Sequence, residues 1–423
     1  MPGIGLSAPR VESADKVTGT ARYNSDFLVP RMLHARMLTS RYAHAYLKSI
    51  DLTRAWQVPG VRAIITGDDC QILCGTVLQD RPPIAHGKVR YYGEPVAVVV
   101  ADAESQAQKA VALITVDYEP LPVINSPSEA LVPGAPLIHE NLEQYVHAVE
   151  DVYPEPNTNI AARIKIRKGD MAKGWIESEV VIESLYKLPQ SDHIAMETRN
   201  TAVEILPSGE VNVHSSSQAP YSIRNLISRY FHIETGKINV HVPLVGGGFG
   251  GKAPVQLEII AYLASKAVGG RLVKLANTRE EDMVSSPCHL GLEATIKLGA
   301  TRDGLIKAAE MTYVVDSGAY ADTGPRMAKA MAIDCTGPYN IENVWCDSLC
   351  VYTNHPYVTS FRGFGHAEYT FCIERALDKL AFALGMDTLT LRMKNAITSG
   401  HTTPTQVKLT TSNLGNMGQV AGS

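Results

Sequence analysis

Long hydrophobic runs, an excess of one charge and closely spaced cysteines are all missing from this chain, and each absence excludes a class of protein. The longest apolar stretches, such as Val96 to Ala101, are strand-sized, far below the ~18 residues of a membrane-spanning helix. No basic stretch followed by an apolar run occurs in Met1 to Arg10, so no export signal is expected and the cytoplasm is the expected compartment. Basic residues number 39 and acidic residues 43, a net charge of −4; nucleic-acid binders are normally strongly basic, so no nucleic-acid partner is expected. There are seven cysteines. Cys70/Cys74 and Cys346/Cys350 are spaced C-x-x-x-C, wider than the usual zinc knuckle and without a nearby histidine, so they read as buried thiols. None has the spacing of an iron–sulfur cluster motif. Gly (33) and Pro (24) stand near average usage, which excludes collagen-like and low-complexity chains.

What remains is an ordinary globular balance, 45% hydrophobic and 19% charged over 423 residues, long enough for two or three domains. The first part, 10–125, reads as a compact α/β unit. Val96 to Ala101 is a buried strand by length and β-branching, Ala103 to Ala112 has helical spacing, and Ile114 to Tyr118 is a strand stopped by Pro120 and Pro122. That order suggests a β-α-β unit or a split variant. Residues 126–160 carry Pro133, Pro136, Pro154 and Pro156 with little periodicity, and read as a connector over the surface. From 161 to 402 strands dominate. Pro207-Ser208-Gly209 and Arg302-Asp303-Gly304 mark hairpins, and Pro254 to Val268 and Glu368 to Leu384 each show one apolar helix face. Residues 403–423 read as a polar tail.

The sharpest feature is Val245-Gly246-Gly247-Gly248-Phe249-Gly250-Gly251-Lys252, between a strand at Ile238 to Val245 and the helix opened by Pro254. A glycine loop entering a helix N-terminus offers N–H groups to an anion and lets another molecule lie on the backbone. Two nucleotide loops fit in part. Gly246, Gly251 and Lys252 match a P-loop, but Ala253 stands where a magnesium-binding hydroxyl belongs. Gly246, Gly248 and Gly251 match G-x-G-x-x-G, but the acids expected ~20 residues on are missing near Gly269 to Val273. A P-loop-like nucleotide-binding protein is therefore the alternative reading.

In order along the chain, Arg10-Val11-Glu12, Asp15 to Tyr23, Leu33-His34-Ala35, Ala43-His44-Ala45, Val89 to Ala97, Ser216-Ser217-Gln218, Gly246 to Lys252 and Phe361-Arg362-Gly363-Phe364-Gly365 resemble the molybdopterin-binding subunit of the xanthine dehydrogenase / aldehyde oxidase family of molybdenum hydroxylases. The resemblance implies an α+β fold: an N-terminal α/β hammerhead domain followed by the first mixed α/β part of the molybdopterin-binding region. It implies that Gln218, Gly247, Gly248, Phe249, Gly250 and Arg362 hold the cofactor, and that Phe364 and Ala253 lie on the substrate side. The chemistry of these residue types agrees. An amide donates to a metal-bound ligand, a guanidinium suits an anionic, oxygen-rich cofactor, and a phenyl ring stacks on a flat one.

The same resemblance implies molybdenum held through the dithiolene of molybdopterin, in its cytosine dinucleotide form, with no direct protein ligand. It implies hydroxylation of an N-heterocycle or aldehyde with oxygen from water, and electrons passed to a [2Fe–2S] subunit and an FAD subunit. Relatives continue into a second half with a G-x-G-E motif whose glutamate is the general base; G-x-G-E occurs nowhere in these residues. No catalytic residue is therefore expected in this chain. A second molybdopterin subunit, as in split nicotinate-dehydrogenase-like enzymes, is expected to supply the base; an inactive truncated remnant is the other possibility. Ala253 replaces the glutamate with which purine-oxidising members bind their heterocycle, which argues against xanthine.

Overall fold

The computed structural model describes residues 4–411. Its fold is mixed α and β, organised by two large sheets. The first has seven strands in the spatial order Ile238–His241, Val211–Ser215, Asn200–Ile205, Val273–Ala276, Leu33–Thr39, Pro95–Ala101 and Val61–Thr66. The second has five, in the order Val180–Leu188, Gly291–Ala300, Ile306–Asp316, Asn343–Val351 and Ile160–Lys168. A small sheet, Lys88–Val89, Ala45–Asp51 and Thr115–Pro120, stands apart in the N-terminal part.

The seven-stranded sheet joins both parts of the chain. Leu33–Thr39 pairs in parallel with Val273–Ala276 and antiparallel with Pro95–Ala101. Every residue of Pro95–Ala101 is buried, as its β-branched run demands of a central strand. The expected β-α-β unit is not formed: Pro95–Ala101 and Thr115–Pro120, on either side of the helix Glu104–Val111, lie in different sheets. Hydrophobic patterning specifies that a strand exists but not which strand it pairs with.

Both hairpins form, Asn200–Ile205 with Val211–Ser215 and Gly291–Ala300 with Ile306–Asp316. Residues 126–160 differ from the expected surface connector. Ala130, Ile138, Leu142, Val152 and Ile160 are buried in the core beneath the five-stranded sheet. Asn159 stitches the segment down, accepting from the Ile138 N–H at 3.0 Å and donating to the Pro136 carbonyl at 3.0 Å. Isolated apolar anchors between prolines carry no period, so the burial left no trace in the pattern.

The helix Leu257–Ala267 is buried from Leu257 through Ser265, not along one face. It packs under the seven-stranded sheet with Val203, Val213 and Val273. The helix His366–Leu384 covers the five-stranded sheet through Cys372, Ala376 and Leu380. All seven cysteines are buried and unbridged. The tail expected over 403–423 is described only to residue 411; the remainder lies outside the described residues.

Candidate functional site

Val211–Ser215 and Ile238–His241 are parallel neighbours, so their C-terminal ends lie at the same end of the sheet. The segments that follow, Ser216-Ser217-Gln218 and the glycine loop, are thereby placed side by side, in the position where open α/β sheets bind ligands. The helix after the loop starts only at Leu257. Lys252 is therefore separated from it by four residues, and the loop does not present a helix N-terminus as its sequence suggested.

Gln218 holds the glycine loop in shape. Its Oε1 accepts from the Gly250 N–H at 2.9 Å and the Lys252 N–H at 3.3 Å, and its own N–H donates to the Lys252 carbonyl at 2.9 Å. Two backbone donors on one oxygen fix the amide's orientation. Its Nε2 is left on the exposed side with no partner among the described residues. A Cβ on Gly248 would come within 2.5 Å of Gln218 Oε1 and displace the amide from this arrangement. Gly250 lies against the third segment: a Cβ there would approach the Ser360 carbonyl to 2.0 Å, and its φ is +106°.

Ser360 leads into Phe361-Arg362-Gly363-Phe364-Gly365, so the three segments singled out by sequence converge. Arg362 is exposed and makes no hydrogen bond or ion pair among the described residues. Glu368, the next acidic residue along the chain, is buried and pairs with His289 at 2.7 Å rather than with Arg362. Phe249 is 46% exposed. Phe364 is half-buried and packs against the core below the five-stranded sheet. Both phenylalanines have left-handed backbone, φ 55° and 54°, a conformation costing on the order of 1–3 kcal/mol for a bulky residue and found mostly where a site requires it. Gly247 is half-buried beside the Phe249 ring, and Ala253 is half-buried, its N–H donating to the Gly250 carbonyl at 3.1 Å.

Behind the loop lies a layer of charges that sequence reasoning missed. Glu197 Oε2 accepts from Ser216 Oγ at 2.5 Å, the Gly246 N–H at 2.8 Å and Lys252 Nζ at 3.0 Å. Burial opposes ionisation of this carboxyl, but those donors outweigh it and hold its pKa below the usual glutamate value. Lys252 Nζ also donates to Ser216 Oγ at 2.8 Å. This lysine is spent inside the protein and reaches no phosphate, which removes the main support for a P-loop. Arg199 donates through Nε to the Gly251 carbonyl at 2.9 Å and through Nη1 to Asp282 at 3.0 Å.

His193 joins two of the loops. Its Nε2 bonds the Ser360 carbonyl at 2.9 Å, its ring stacks on Phe361 at 4.6 Å, and a Cβ on Gly251 would strike it at 2.7 Å. Burial pushes its pKa down to about 4, so the ring is neutral at pH 7. The only sequence signal for this layer was a string of isolated polar residues, His193, Glu197 and Arg199, on an irregular segment before a strand. Such residues carry no period and no motif.

The arrangement presents one free amide donor, one free guanidinium and one exposed ring above a buried, fully engaged base. That outfit fits a flat, anionic, oxygen-rich group. No group of three or more metal-ligating side chains occurs among the described residues.

Comparison with known proteins identifies the family. Residues 152–396 match the molybdopterin cofactor-binding domain family, and residues 18–122 match the aldehyde oxidase and xanthine dehydrogenase a/b hammerhead domain. A probable xanthine dehydrogenase subunit of Bacillus subtilis is 35% identical over 92% of this chain and 50% of its own length. The nicotinate dehydrogenase large molybdopterin subunit of Eubacterium barkeri is 31% identical over 93% of this chain and 89% of its own. The aldehyde oxidoreductase structure from Desulfovibrio gigas superposes with a TM-score of 0.85 at 28% identity, over 98% of this chain and 46% of that one. The chain thus spans about half the length of several relatives and most of the Eubacterium barkeri protein. The chain belongs to the molybdopterin-binding xanthine dehydrogenase family.

Proposed function

We propose that this chain is the molybdenum-cofactor-binding large subunit of a multi-subunit hydroxylase or dehydrogenase. The observation that carries this is the convergence of Gln218, Phe249 and Arg362, each with a free binding group, on one rigid glycine loop. Gln218 Nε2, without a partner among the described residues, would donate to the bound cofactor. Gly247, Gly248 and Gly250 let the cofactor lie close to the backbone. Arg362 neutralises its anionic tail, in the cytosine dinucleotide form. When bound, the cofactor supplies two-electron redox chemistry at molybdenum.

The chain's own residues position the reaction. Phe364, half-buried against the core, would be the ring nearest a planar substrate, an N-heterocycle or an aldehyde, and Ala253 offers no carboxylate for a purine to engage. Glu197 is not a candidate base, because three donors occupy its buried Oε2 and lower its affinity for a proton. The proton acceptor is a glutamate of a second molybdopterin subunit. Partner subunits carrying [2Fe–2S] clusters and FAD would accept the electrons, with the assembly in the cytoplasm. The Eubacterium barkeri relative, named as one molybdopterin subunit of its enzyme, supports this division.

The test is anaerobic purification of the native assembly, with molybdenum and pterin measured per chain and co-purifying subunits identified. Stoichiometric molybdenum with a G-x-G-E subunit is the expected result. A chain recovered without metal or pterin would make it an inactive remnant.

A further inference from the structure

Away from the cofactor loops, the N-terminal part holds a cleft of about 700 Å³. Two of its walls are strand edges, and Gln108 and Val111 of the helix Glu104–Val111 line it as well. Leu33–Thr39 pairs with Val273–Ala276 only as far as Ala35. Beyond that point the neighbour stays paired on its other side, the Asn277 N–H donating to the Arg199 carbonyl, and among the described residues no strand pairs with Met37 to Thr39 on the cleft side. The Leu33 N–H donates to the Leu272 carbonyl on this side, so alternation along the strand turns the backbone groups of Met37 and Thr39 the same way, into the cleft. The opposite wall is Thr115–Pro120, the outer strand of the small sheet. The Leu121 N–H donates inward to the His44 carbonyl, so the same alternation turns Val116 and Tyr118 outward. One end of the cleft is closed by the Arg36–Glu281 ion pair at 2.6 Å and the other by the Tyr42–Tyr118 ring pair at 5.0 Å. Arg41, exposed and without a partner among the described residues, stands beside that second end.

Two facing, unpaired strand edges are a template for another strand, and natural proteins cover such edges or blunt them. We propose that the cleft receives an extended segment of about four residues, spanning ~13 Å, that hydrogen-bonds to both edges and offers a carboxylate to Arg41. Its source is the subunit that completes the cofactor region. The Bacillus subtilis relative carries as much sequence again as the stretch matched here, which is ample to supply the segment. This inference rests on the proposed multi-subunit assembly.

The experiment compares amide hydrogen exchange at Met37, Thr39, Val116 and Tyr118 in the isolated chain and in the native assembly recovered through a tag on this chain. At least about tenfold slower exchange at these amides in the assembly is expected. Val116→Pro removes an outward donor while sparing the pairing with Ala45–Asp51; Arg41→Glu reverses the lone charge without touching the core. Each is expected to lower partner recovery at least tenfold, with the melting temperature of the isolated Arg41→Glu chain unchanged. Equal exchange rates in both states, undiminished recovery with Arg41→Glu, or a chain recovered alone with these amides exchanging freely, overturns the proposal. Protection that grows with the concentration of the isolated chain overturns it in favour of a second copy. Molybdenum is measured on the same samples. Metal without protection sinks the cleft and leaves the cofactor reading standing, whereas protection without metal does the reverse.

Discussion

On the inner side of the glycine loop, Glu197, Lys252, Arg199 and Asp282 are buried and bonded to one another or to loop backbone. On the outer side, Arg362 and the amide nitrogen of Gln218 are exposed and have no partner among the described residues. The two sets contain similar chemical groups and lie within one short stretch of structure. The difference separates scaffold from site. A buried charge costs several kcal/mol unless paired, so the inner set has to be complete in the protein alone. The outer set stays in water until a ligand replaces that water.

The comparison breaks most visibly if an inner charge is removed. Glu197→Ala leaves the Lys252 ammonium buried and unpaired and is expected to cost about 3–5 kcal/mol, read as a lowered urea midpoint. Conversion of Lys252 to Met in the same background should recover part of that loss, because it removes the orphaned charge.

Acid sharpens the same contrast. The folded pKa of His193 is about 4, against 6.5 ordinarily. Between those values the unfolded chain binds more protons, so stability falls as the pH drops from 6.5 toward 4 and is flat above. The share of this one ring is roughly 3 kcal/mol at pH 4. Urea midpoints at pH 7 and pH 4.5 should therefore differ less in His193→Gln than in the parent. An identical difference would mean that His193 is not held neutral by its burial between the loops.

Glycines on the two kinds of ground behave differently too. Gly250→Ala meets the Ser360 carbonyl at 2.0 Å with a positive φ, and should cost about 1–3 kcal/mol with loss of cofactor. Gly87→Ala also has a positive φ but open space around it, and should cost about 1 kcal/mol or less, with cofactor kept.

Much of this was legible in the residues. The three site segments announce themselves by glycine content and by an arginine or glutamine at fixed places, and the structure brings them together. The strands and helices around them carry regular periods, and both hairpins carry turn signals. Three things were not legible. Strand partners were hidden, because Pro95–Ala101 reads the same whether its neighbour is local or, like Val273–Ala276, far along the chain on the other side of Leu33–Thr39. The core anchors of 126–160 were hidden, because single apolar residues between prolines have no period. The inner charges were hidden because Glu197 and Arg199 become a layer only when Lys252 and Asp282 are folded against them.

The smallest effect on stability belongs to Arg362 of the outer set, and in that set the central claim is tested most directly. Gln218→Ala and Arg362→Ala are prepared within the native assembly and compared with the parent for molybdenum and pterin per chain, with unfolding midpoints measured alongside. Arg362→Ala should leave the midpoint within about 0.5 kcal/mol of the parent while molybdenum and pterin content falls. Gln218→Ala should lower both, because Gln218 Oε1 also anchors the loop. Full molybdenum and pterin content in both variants would contradict the assignment of this face to the cofactor.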